Sequence, residues 1–229
     1  MITIIHGDDL ASSRSFFYEQ KKKAQSPIFL EGEKATLTDI IQILEGGSLF
    51  GNAKTVFIEN LISSKKSSKE LESIMKLINT HHACEIYLWE GKKLTVKDIS
   101  FFKEADVRLF KLPSVLFTFL ENIKPSNASY QIGLFHKTLS TLNAELIFSM
   151  IVRQFRLLLS VSPDGKDEIE EVKKLASWQK GKLKRQARSF SQEKLLNSYQ
   201  KLFTIDLEQK TGGSSLSLDR AIDFFLLSL

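Results

Sequence analysis

Five short apolar runs, each followed by a stretch of helical pattern, fill residues 1–112, and no further run of this kind comes after them. They are Ile2-Thr3-Ile4-Ile5, Pro27-Ile28-Phe29-Leu30, Thr55-Val56-Phe57-Ile58, Glu85-Ile86-Tyr87-Leu88-Trp89 and Val107-Arg108-Leu109-Phe110. Such alternation predicts an α/β unit on a mostly parallel five-stranded sheet covered on both faces, because parallel neighbours need a crossover and the crossover helix packs on the sheet. The helices carry their own start signals. Asp8-Asp9 opens one that ends in lysines near residue 23, the polarity a helix dipole favours. Thr36 and Asp39 begin the next as a cap, and Leu71, Ile74, Met75, Leu77 and Ile78 repeat with a 3.6-residue period in the one after it.

From Pro113 the pattern is helical throughout. Short connections predict a compact antiparallel bundle over the rest of the chain. Its expected members include a helix capped by Asn143, a charged helix over 166–176, a basic helix over 179–189 and a long helix over 191–210. The long helix carries Leu195, Leu196, Tyr199, Leu202 and Phe203 as its expected buried stripe, with Asp206 on the same stripe, to be paired either by Lys210 at i+4 or by a cap to a neighbouring helix.

An α/β sheet of this type commonly holds a phosphate at the turn after its first strand, on glycine amides at a helix N-terminus. Here that turn reads His6-Gly7-Asp8-Asp9, with one glycine and two carboxylates where phosphate oxygens would sit. Like-charge repulsion opposes a nucleotide there. The third strand ends in Glu59-Asn60, not in the paired acids that would hold Mg²⁺. The expectation is a nucleotide-type fold without nucleotide chemistry and without a cofactor. No histidine, cysteine or carboxylate grouping has metal-ligand or nucleophile spacing, and the lone Cys84 reads as packing. A single cysteine fits a reducing cytoplasm, the N-terminus lacks the pattern of a signal peptide, and no run approaches the ~20 apolar residues of a membrane span. The net charge of +5 permits a nucleic-acid role without requiring one.

Two features remain for binding. Gly46-Gly47-Ser48-Leu49-Phe50-Gly51 sets a Leu-Phe pair between glycines just ahead of the third strand. The pair either tucks under the sheet, as most Leu and Phe do, or stands out as an anchor for a partner's pocket. The second feature is a run from Lys173 to Arg188 holding seven basic residues and no acid, including Lys180, Lys182, Lys184, Arg185 and Arg188. It is either a solvated helix face or a contact for DNA or another subunit, and its one aromatic, Trp178, makes a poor stacking platform alone.

The combination resembles the delta subunit family of the bacterial DNA polymerase III clamp loader. The residues that carry the resemblance are Ile5-His6-Gly7-Asp8-Asp9, Ser48-Leu49-Phe50-Gly51-Asn52-Ala53-Lys54-Thr55-Val56-Phe57-Ile58-Glu59-Asn60, Arg153-Gln154-Phe155-Arg156-Leu157-Leu158, Lys182-Leu183-Lys184-Arg185-Gln186-Ala187-Arg188-Ser189-Phe190-Ser191 and Asp206 with Lys210-Thr211-Gly212. The resemblance implies a degenerate AAA+ fold that binds no ATP and has no activity of its own within the polymerase holoenzyme. It implies that Leu49 and Phe50, framed by Ser48 and Gly51, enter a pocket on the sliding clamp and help open it, and that the C-terminal helices form a collar that meets the other loader subunits. The implied domains are a clamp-binding unit at 1–112, a residual lid or linker at 113–125 and a collar at 126–229, since Phe110-Lys111-Leu112-Pro113-Ser114 runs almost directly into the collar entry where the family carries a lid. A stand-alone DNA-binding or adaptor protein using the basic helix, and a true nucleotide-dependent enzyme, are the rival readings.

Overall fold

The computed structural model describes residues 1–46, 54–65, 69–81, 84–102, 104–163 and 169–229. Two compact units divide the chain, Met1–Leu112 and Pro113–Leu229.

The first unit is the expected α/β structure. Its strands are β1 (Ile2–Gly7), β2 (Pro27–Glu31), β3 (Thr55–Glu59), β4 (Glu85–Glu90) and β5 (Asp106–Phe110), and its helices are α1 (Leu10–Lys23), α2 (Leu37–Glu45), α3 (Leu61–Ser64), α4 (Lys69–Thr80) and α5 (Val96–Ser100). The sheet runs β2-β3-β4-β1-β5, with every pairing parallel. Period-2 alternation divides its side chains by chemistry. One face is aliphatic: Ile2, Ile4, Val56, Ile58, Ile86 and Leu88 join Ile40, Ile74 and Ile78 of α2 and α4 in one core. The other face is aromatic, with Phe57 and Trp89 packed with Phe17 of α1. Phe17 meets Phe57 edge-on at 5.4 Å, and Phe57 stacks on Tyr87 at 4.9 Å. The edge strands differ from the expectation of buried runs. β2 and β5 each have one neighbour, and their side chains are half-buried or exposed, Leu109 and Phe29 among them.

β1 lies between β4 and β5, and its last residue sets how closely β5 can approach. A Cβ built on Gly7 would fall 1.8 Å from the Phe110 carbonyl oxygen, and its φ of +145° is one that side chains disfavour. That carbonyl accepts the amides of Asp8 and Asp9 at 3.0 and 3.3 Å.

The second unit is all helical among its described residues: α6 (Ser114–Glu121), α7 (Ala128–Leu139), α8 (Ala144–Val161), α9 (Glu170–Lys173), α10 (Ser177–Ala187), α11 (Gln192–Thr211) and α12 (Leu218–Leu227). α8, capped by Asn143, touches every other helix of the unit. Its Phe155 packs edge-on against Phe190 and against Phe225 of α12, at 5.8 and 5.4 Å. The charged helix expected over 166–176 is short: residues 164–168 lie outside the described residues, and Glu170–Lys173 is the only helix in the remainder.

The stripe expected on the long helix is a correction. α11 buries Leu195, Ser198, Leu202 and Ile205, while Leu196 and Phe203 are 47% and 67% exposed. Asp206 is likewise not on a buried face; it is half-exposed and pairs with Lys210 at 2.6 Å, the first of the two partners its position left open.

The Arg153-Gln154-Phe155-Arg156 and Lys184-Arg185-Gln186-Ala187-Arg188 runs interlock. Gln154 Nε2 donates to Gln186 Oε1 at 2.7 Å, and Gln186 Nε2 donates to the carbonyls of Leu120 and Ile123, both at 2.8 Å. One amide thereby bonds two carbonyls at the end of α6 and joins α6, α8 and α10. Arg153 and Arg156 grip the two oxygens of Glu171 at 2.5 and 2.6 Å and tie α9 to α8. Burial alone would raise the Glu171 acid, but the paired arginines outweigh it and hold the carboxyl below its ordinary value of 4.5.

Three outcomes are expected. Gly7→Ala drives β5 away from β1 and destabilises the first unit by roughly 3 kcal/mol, read as a lower urea midpoint. Gln186→Leu leaves the Ile123 carbonyl and the Gln154 amide without their partner, while the Leu120 carbonyl keeps the Ile123 amide at 3.4 Å, and costs the second unit about 2–4 kcal/mol in the same measurement. Glu171→Gln lowers stability at neutral pH. Because a depressed carboxyl contributes above its unfolded value and loses that contribution as pH falls through the folded one, the gap to the parent protein closes below pH 4.5.

Candidate functional site

The turn after β1 is where an open parallel sheet offers an anion its place. Here the chain's own carboxylates fill it. Asp9 is the N-cap of α1 and accepts the Ser12 amide on Oδ1 at 3.0 Å, and its carbonyl accepts the Ser13 amide at 3.1 Å. Asp8 Oδ1 accepts the Leu112 amide at 3.0 Å. The amides that would cradle a phosphate are therefore engaged by Asp9 and by the Phe110 carbonyl.

The C-terminal ends of β3 and β4 are held largely by internal contacts, although Glu59 Oε1 is buried without a partner among the described residues. Arg14 of α1 pairs with Glu59 at 3.2 Å and lies 5.0 Å over the Trp89 ring. Asn60, in the left-handed region at φ 55°, donates its amide to the Trp89 carbonyl and accepts the Gly91 amide on Oδ1 at 2.9 Å. Glu90 is fully buried and accepts the amides of Ile62 and Ser63 at 2.7 and 3.0 Å, with the Ser63 hydroxyl also donating to it. Burial pushes its acid up in spite of these donors. His6 at the end of β1 accepts the Leu94 amide on Nδ1 at 3.0 Å; burial, and then the charge of Lys93, lower its pKa. Among the described residues no group of three or more His, Cys, Asp or Glu could hold a metal ion. No described helix is long and apolar enough to cross a membrane.

Ser48, Leu49, Phe50 and Gly51 lie outside the described residues. Their two stems do not. The segment leaves α2 at Gly46 and returns at Lys54, one residue before β3. Lys54 Nζ donates to the Gly46 carbonyl and stands 3.5 Å from that of Ile43. His81, just past α4, places Nε2 2.9 Å from the Leu44 carbonyl.

In the second unit, the basic residues singled out by sequence belong to α10 and its C-cap. Lys182, Lys184, Arg185 and Arg188 are exposed, and Lys180 is half-buried. Leu183 and Ala187 turn inward. Lys182 pairs with Glu121 of α6 at 2.8 Å and stands 5.5 Å from the Trp178 ring. α6, α8 and α10 enclose a cleft of about 770 Å³ lined by Lys124, Arg153, Lys182 and Arg185 together with Phe117 and Trp178. Trp178 is 65% exposed and Phe117 40%. Sequence reading alone misses this grouping, because Phe117 and Lys124 are remote in the chain and no local signal links them to α10. A second, more apolar groove lies between α8 and α11, lined by Phe148, Val152, Tyr199, Leu202 and Phe203.

A family model described as the C-terminal domain of the DNA polymerase III delta subunit matches residues 115–229, half of the chain. Among solved structures the chain is similar to the Bacillus subtilis DNA clamp loader delta protein, at 16% identity and a TM-score of 0.47, over 99% of this chain and 94% of that one. It is also similar to a DNA polymerase III gamma subunit-related protein of Thermotoga maritima, at 15% identity and a TM-score of 0.35, over 99% and 93% of the two chains. No curated protein matches it. The family match begins at Val115 and runs through every helix from α7 to α12, so this chain belongs to the DNA polymerase III delta subunit family.

Proposed function

We propose that this protein is a non-catalytic clamp-loader subunit that binds the sliding clamp and helps open it for loading onto DNA. The observation that carries the reading is the family match across the helical unit. The α/β unit, 1–112, is the clamp-binding part, 113–125 stands where a lid would be, and 126–229 is the collar. Leu49 and Phe50, flanked by Ser48 and Gly51, are the anchor that enters an apolar pocket of the clamp, an aromatic and aliphatic pair of the kind that dominates binding energy. Leu196, Phe203 and Leu207, exposed along α11, supply apolar surface for docking to other loader subunits.

The rival reading as a nucleotide-dependent enzyme is opposed by the carboxylate-filled turn after β1, where Asp8 and Asp9 stand against phosphate. A second binding reading has one observation in its favour: the cleft beside α10 combines exposed Trp178 with Lys182, Arg185 and Arg153, a cation and aromatic set suited to a nucleic-acid strand in the assembled loader.

Surface-plasmon binding to the sliding clamp of the same organism tests the leading reading. Leu49→Ala/Phe50→Ala is expected to weaken binding at least 30-fold, on the order of 2 kcal/mol or more, while leaving thermal unfolding unchanged. A wild-type protein that ignores the clamp, or a double variant that binds as well as wild type, overturns it. Calorimetric titration with ATP is expected to give no heat at micromolar concentrations; saturable binding restores the enzyme reading. Lys184→Glu/Arg185→Glu is expected to weaken single-stranded DNA binding and flatten its salt dependence, and salt-insensitive binding excludes the second reading.

A further inference from the structure

The aromatic face of the sheet extends beyond the part that α1 buries. Phe29 of β2 stands in register with Phe57, and Phe57 with Tyr87, so one row of rings crosses three strands. Phe57 packs with Phe17 of α1 and is buried, whereas Phe29, on the edge strand, is 38% exposed.

Along α1, Arg14, Tyr18 and Lys21 fall at i, i+4 and i+7, the spacing of one helix face. Their contacts alternate in kind. The Lys21 ammonium lies 4.4 Å from the centre of the Phe29 ring and 5.8 Å from that of Tyr18. The Arg14 guanidinium lies 5.8 Å from the centre of the Tyr18 ring and 5.0 Å from that of Trp89. The order across the surface is therefore Phe29, Lys21, Tyr18, Arg14, Trp89: ring, cation, ring, cation, ring. Its inner end is fixed, because Trp89 is buried and donates its indole N–H to the Ser13 hydroxyl at 3.2 Å. The rest is open, with Tyr18 40% exposed and Arg14 exposed.

Internal needs do not account for this row. The helix dipole favours the three lysines in the last turn of α1, but it does not explain the rings around one of them. Lys21 has no carboxylate partner among the described residues, and Arg14 gives Glu59 a single nitrogen, Nη2, at 3.2 Å. On β2, Glu31 is already held by Lys34. Two cations and two rings thus face solvent in turn.

A single nucleic-acid strand has the matching alternation, with phosphates for the cations and base faces for the rings. A duplex stacks its base faces away and an acidic peptide has none, so either would use Arg14 and Lys21 and leave Tyr18 and Phe29 idle. We propose that this face of α1 is a contact site for single-stranded nucleic acid, with Tyr18 and Phe29 stacking on bases and Arg14 and Lys21 meeting phosphates. The site belongs to the α/β unit and rests on neither the clamp reading nor the cleft beside α10.

Fluorescence anisotropy of a labelled oligothymidylate of about 20 nucleotides tests the assignment. The Lys184→Glu/Arg185→Glu protein serves as the background, so that α10 does not mask the effect. In it, Tyr18→Ala is expected to weaken binding about ten-fold and Phe29→Ala about five-fold, while Tyr18→Phe binds like the background protein. Lys21→Gln is expected to weaken binding about five-fold and to lower the salt slope by about 0.7. A duplex of the same length is expected to bind more weakly and to be indifferent to Tyr18→Ala. Failure of the background protein to bind the oligothymidylate overturns the assignment, as does a Tyr18→Ala variant that binds equally well. Equal losses for strand and duplex reduce the face to a phosphate patch and overturn it too. If Tyr18→Ala lowers the thermal midpoint, Lys21→Gln decides: unchanged affinity and salt slope overturn the site.

Discussion

The α/β unit depends on how closely β5 can approach β1. β1 lies between β4 and β5, neither of which is next to it in the strand sequence, and Gly7 sits at a close approach to β5. The Phe110 carbonyl sits where a side chain would be and gathers the amides of Asp8 and Asp9. That single approach closes the sheet, starts α1 and leaves the carboxylates of Asp8 and Asp9 to accept from Leu112 and Ser12. The filling of the turn after β1 and the closure of the sheet therefore share one cause. Reopening the turn for a phosphate would mean moving β5.

The two helix ends nearest to functional interest invert the usual arrangement. The N-terminus of α1, which favours an external anion, is neutralised from within by Asp9. The C-terminus of α2, which favours a cation in its own last turn, instead draws Lys54 and His81 from elsewhere in the fold. The first arrangement fills the helix end from within, and the second closes a helix end from outside it.

Much of the fold can be read from the chain because its signals are local. Each apolar run became a strand, since alternating Ile, Val and Phe leave few other ways to bury both faces. Thr36, Thr95, Asn143 and Ser191 mark helix starts through hydrogen bonds that span only three residues. What could not be read depends on neighbours distant in sequence. Position in the sheet exposes β2 and β5, although their composition resembles that of the central strands. On α11, Leu195 and Leu196 are equally apolar, and only the placement of α8 and α12 decides that the first is buried and the second exposed. Phe117 joins Trp178 across the cleft through packing alone. The Leu-Phe pair was legible as a motif, and so were the basic residues of α10, but the caps of Lys54 and His81 on α2 carry no sequence signature.

The joint made by Gln154 and Gln186 has a consequence for the cleft beside it. Both side chains are neutral amides, so neither ionic strength nor pH acts on their bonds directly, whereas the Lys182–Glu121 pair and the cations lining the same cleft are exposed to screening. The framework and the charged lining thus answer to different variables. Added salt weakens the ion pairs of the lining, including the one between α6 and α10, while the amide joint that holds the three helices is not screened.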